Sequence, residues 1–118
     1  MYIRDVQYFK DREAEVNVSD GRYTVLCYGY PCDMVAVNQR VEEIDAFECE
    51  NVMRSDETEY AIKKLPEYFA YQLVAKVVDN QKGIVRIGGL IINLFENAIP
   101  KDIMNGEYIE FSVRRLDL

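Results

Sequence analysis

Cys27, Cys32 and Cys49 are the residues of this chain with the widest chemical reach, as nucleophiles or as soft metal ligands. Their spacing suits neither role. Cys27 and Cys32 stand five apart, not at the two-residue gap of zinc knuckles and redox pairs. A metal site would need Cys49 and a carboxylate such as Asp33 to complete it, because the chain has no histidine. The same absence removes the commonest general base, so a serine or cysteine nucleophile would depend on a lysine that no motif supplies. Two facing carboxylates would suffice for acid–base hydrolysis, yet no pair is singled out by spacing. Glycine-rich phosphate loops, the Gly-x-Ser-x-Gly turn and the Asp-x-Asp calcium loop are missing. No metal or cofactor is expected, and enzyme activity is the minority reading.

What remains is chemistry of contact. The net charge is −7, and residues 1–59 hold six Lys/Arg against fourteen Asp/Glu while residues 60–118 hold eight against seven. Between 42 and 59, Glu42, Glu43, Asp45, Glu48, Glu50, Asp56, Glu57 and Glu59 face Arg54 alone. Such a surface attracts a basic protein partner and speeds encounter with it. Its plainer use is to solvate a sheet edge and keep it from pairing with a neighbour. It also repels phosphate backbones, which disfavours nucleic acid. Nine tyrosines supply rings, and Arg22, Tyr28, Tyr30 and Tyr71 would form a ligand face if the fold gathered them. The candidate contact residues are therefore Arg22, Tyr28, Tyr30, Glu48 and Glu50. The expected partner is another protein or a second copy of the chain. The alternative is a single-stranded nucleic acid or small ligand held by the rings.

Three cysteines without a dense pattern read as reduced thiols in the cytoplasm. The opening Met1-Tyr2-Ile3-Arg4-Asp5 has no apolar run behind it, so no secretory signal is expected. The longest apolar stretches contain Lys76 or Arg86 and are too short to span a bilayer. With 118 residues, 49% of them hydrophobic, the chain suits one domain with one core, residues 1–118.

The elements that must position these residues read as strands. Ala14, Val16 and Val18 alternate with Glu15 and Asn17, and Asp20-Gly21 supplies a two-residue hairpin turn. That loop pairs Val18 with Tyr23, Val16 with Val25 and Ala14 with Cys27. A short strand with Ile3, Val6, Tyr8 and Phe9 precedes it, and Gly29–Asp33 breaks the sheet after it. A strand is expected over 43–53. Asp56 as a cap, with Glu59 three positions on, predicts a short helix over 57–65 that ends before Pro66. Tyr71–Val78 is a strand, 79–83 a turn, and 84–95 a long strand in which Gly88-Gly89 marks a bulge or bend. In the closing strand 107–115, Ile109, Phe111 and Val113 point inward and Glu110, Ser112 and Arg114 outward. The order resembles the OB-type small barrel, in which a helix interrupts between the third and fourth strands. The expected fold is mainly β: a small closed or partly open antiparallel barrel with one short helix. A rolled or sandwich-like sheet is its competitor.

Overall fold

The computed structural model describes residues 1–30 and 35–118. Nine strands run in chain order: β1 Tyr2–Lys10, β2 Glu13–Ser19, β3 Thr24–Gly29, β4 Ile44–Arg54, β5 Ala61–Lys64, β6 Tyr71–Asp79, β7 Ile84–Ile87, β8 Leu90–Asn93 and β9 Tyr108–Asp117. The protein is mainly β and contains a small closed barrel. No helix of the described residues is long and apolar enough to cross a membrane.

The barrel is a ring of five strands. β6, β7 and β8 form an antiparallel meander, β9 pairs antiparallel with β6 and β4, and β4 closes the ring by pairing parallel with β8. One parallel pair makes the ring mixed rather than wholly antiparallel. The first meander, β1–β2–β3, lies outside the ring and joins it where Tyr28 of β3 pairs with Asp117 of β9. Both parts nonetheless share one apolar interior. Val16, Val18 and Cys27 of the meander belong to the same buried cluster as Ile44, Leu73, Ile92 and Phe111 of the ring. Between β8 and β9, the connection buries Leu94, Ile99 and Ile103 in that cluster.

Three local expectations are corrected. Over 57–65 there is no helix: residues 55–60 are irregular and Ala61–Lys64 form β5, paired with β6 from Ala61–Val74 to Lys64–Tyr71. A nine-residue helix is marginal by itself, whereas the side of β6 not used by β9 offers ladder bonds at once. Ser55 rather than Asp56 organises the turn, its Oγ accepting the Glu57 N–H at 3.0 Å. The β2–β3 hairpin has a four-residue loop, so Val18 pairs with Val25 and Val16 with Cys27. Asp20 causes the change by accepting the N–H groups of Arg22 and Tyr23 at 2.8 and 2.7 Å. The shift is by two residues, so every side chain keeps its face. Residues 84–95 are not one long strand: Gly88-Gly89 is a sharp bend rather than a bulge, the turn between β7 and β8, which pair from Ile87–Leu90 to Ile84–Asn93. The break expected over 29–33 falls largely outside the described residues, as do Cys32 and Asp33.

Two turns lock the meander to the ring. The Asp20 carboxylate accepts the Gly89 N–H at 2.6 Å, and a Cβ on Gly88 would meet the Tyr23 ring at 2.6 Å. Gly88 also sits at φ +58°, so both its backbone and its neighbours require glycine.

Candidate functional site

The strand pair β4–β9 sets the site. Along β9 the inward–outward alternation runs cleanly from Ile109 to Val113 and then slips: Val113 and Leu116 are both buried, which leaves Arg114 and Arg115 outside together. Opposite them, β4 slips too. Ala46 is buried, Phe47 and Glu48 are exposed, and Glu48 has φ +54°. Among the described residues, β4 beyond Asp45 pairs only with β9, which leaves its other side unpaired along Glu48 and Glu50.

The two arginines take different partners. Arg114 meets Glu48, Nη1 to Oε2 at 3.0 Å. Arg115 is clasped by Asp117 through Nε and Nη2 at 2.5 and 3.1 Å. Its guanidinium lies 4.4 Å from the Tyr28 ring centroid and 4.5 Å from that of Phe47, a cation held between two rings and a carboxylate. The Asp117 carboxylate, first of all through this hydrogen bond, holds the Arg115 guanidinium above its ordinary pKa.

Beside this pair lies an open groove of about 610 Å³. Ser112, Val113 and Arg114 of β9 form its floor, Glu48 and Glu50 of β4 one wall, and Leu65, Glu67, Tyr68 and Ala70 the other. The second wall is a short turn, closed by Leu65 N–H to the Ala70 carbonyl at 3.0 Å. Lys64 Nζ holds it by donating to the carbonyls of Leu65 and Glu67, each at 2.7 Å. Phe69, buried at φ +68°, anchors it from below. The Tyr68 hydroxyl donates to Glu15 of β2, which ties the wall to the meander. Its ring packs edge-on to Phe69 at 4.3 Å and stands 6.4 Å from Phe9. Tyr68 is 61% exposed even so, and offers a ring fixed in place but open to solvent.

The expected contact residues do not all meet. Glu48 and Glu50 line the groove. Tyr28 lies alongside it in the ring cluster with Phe9 and Phe69, its hydroxyl donating to Glu13 at 2.5 Å. That bond to the Glu13 carboxylate raises the Tyr28 phenol above its usual range. Tyr30 is 59% exposed, with the Arg12 guanidinium 5.9 Å from its ring. Arg22 sits over Tyr23 in the β2–β3 loop, at the other end of β3 from Tyr28. Tyr71 is a strut whose hydroxyl accepts the Leu26 N–H at 2.9 Å. The acidic stretch is likewise divided: Arg54 is drawn to Glu107 at 2.9 Å, and Asp56, Glu57 and Glu59 lie beyond the end of β4. Glu67, Tyr68 and Arg114 complete the groove without any local signal to announce them.

Neither described cysteine is activated. Cys27 is fully buried, and desolvation pushes its thiol far above the ordinary value. Burial likewise pushes Cys49 up to about 11. No group of three or more Cys, Asp or Glu suited to a metal occurs among the described residues. No family model matches the chain, and searches of curated proteins and of solved structures find no match.

Proposed function

We propose that this protein is a non-catalytic binding module whose acidic groove receives a basic, extended segment of a partner protein. The observation that carries this reading is the charge of the groove walls. Glu48, Glu50 and Glu67 line the groove with one cation, Arg114, beside the accessible apolar surface of Leu65 and the Tyr68 ring. Carboxylates beside apolar surface suit a lysine- or arginine-bearing chain, whose aliphatic stems cover that surface while the heads stay hydrated. Fixed backbone on both walls lowers the ordering cost of binding.

Fluorescence anisotropy with labelled basic and acidic peptides tests it. Basic peptides should bind at low salt and be released at raised salt, because the groove is open and its charges are screened. Absence of binding by any basic peptide at low salt would overturn the reading. Self-association, the other partner class, is read from a sizing column at two concentrations. The exposed rings of Phe9, Tyr30 and Tyr68 are what favour the alternative, a single strand of nucleic acid stacked on the surface of the barrel and its meander. The groove carboxylates oppose it, and an oligonucleotide bound more tightly than a basic peptide would establish it instead.

A further inference from the structure

Resting on that reading, we infer that the groove is a reader of arginine, seating one guanidinium between Glu50 and Glu67 against the Tyr68 ring. The first observation is a difference among the carboxylates. Glu48 is engaged by Arg114, whereas Glu50 and Glu67 line the same groove from opposite walls and, among the described residues, make no side-chain hydrogen bond or ion pair. The groove therefore keeps two carboxylates with no ion-pair partner among the described residues, one on each side. The nearby Lys64 ammonium is held on the carbonyls of Leu65 and Glu67. The second observation is the Tyr68 ring. Its hydroxyl is tied to Glu15 and its ring meets Phe69 in a T-shaped contact, yet most of the residue remains exposed.

A planar cation uses that arrangement better than a compact one. Guanidinium stacks on a ring while its fork of N–H groups reaches carboxylates in its own plane. Ammonium is a point charge that gives up more hydration and gains less from the ring face. The protein already builds such a seat for itself, with Arg115 between Tyr28 and Phe47 and clasped by Asp117. The groove repeats its chemistry, carboxylates beside a ring, with the cation left for a partner to supply. Leu65 then covers the methylene stem.

The test is anisotropy with two labelled Gly/Ser peptides of one length, identical except that one bears arginines and the other lysines. The arginine peptide should bind about fivefold more tightly, the gain expected of one exposed cation–π contact. Glu50→Gln with Glu67→Gln should weaken it about tenfold, and Tyr68→Leu should erase the preference for arginine over lysine. Glu57→Gln with Glu59→Gln, the same two-charge change away from the groove, should leave affinity unchanged. Circular dichroism of each variant confirms that it is folded. Equal affinity for both peptides, or indifference to the Glu50 and Glu67 changes, would overturn the arginine seat while leaving the basic-peptide reading in place. A loss from the paired Glu57 and Glu59 changes as large as the groove loss would do the same. Failure of both peptides to bind the unaltered protein removes both.

Discussion

Cys27 and Cys49 are alike on paper and unlike in place. Cys27 sits in the shared interior beside Val16 and Val25, so its sulfur behaves as a small hydrophobe. Cys49 is only partly covered. Both thiols are held protonated at neutral pH by burial, which withholds the thiolate that alkylation requires. Site-resolved mass spectrometry after iodoacetamide should find Cys27 unmodified in the native protein and fully modified in denaturant, with Cys49 reacting slowly. Rapid native labelling of Cys27 would refute its burial. Glu48 and Glu50 could be picked out from sequence because charge density is a local property. Their partners in the groove could not, because Glu67, Tyr68 and Arg114 reach it from separate elements.

At the scale of elements, the β2–β3 loop and the β7–β8 turn act as one clasp. Burial alone would raise the Asp20 pKa, but the N–H groups of Tyr23, Gly89 and Arg22 outweigh it and lower the value. A lowered folded pKa means that the ionised carboxylate stabilises the native state above its ordinary value. That stability is lost as pH falls through the folded pKa. Asp20→Ala should therefore cost about 2 kcal/mol near neutral pH. It should also flatten the acid limb of a urea-melting profile taken against pH. Gly88→Ala should be destabilising as well, by clash with Tyr23 and by its positive φ, and an unchanged melting midpoint would contradict the clasp. The helix expected over 57–65 shows the same lesson in reverse. Its capping pattern was a valid local preference, and the ladder on β6, formed with residues seven to thirteen positions away, outcompeted it.

The whole molecule joins a three-stranded meander to a five-stranded ring through one parallel pair and one continuous apolar interior. Val16→Ala, a change confined to the meander, should therefore lower the stability of the ring by about 2 kcal/mol. Hydrogen exchange at Leu73 and Phe111 reports on the ring directly. If those amides kept their protection while β2 lost its own, the two parts would be independent units. The alternation of apolar and polar residues determined by itself that the chain is built of strands, and which faces of β2, β3, β6 and β9 are buried. That much is decided by period two, a property of residues next to one another. Sequence did not decide the partners: the two-residue register shift at Asp20, the closure of the ring by β4 against β8, and the slip that puts Arg114 and Arg115 outside together. Each depends on hydrogen bonds and packing between segments far apart in the chain, whose competition only the folded arrangement resolves.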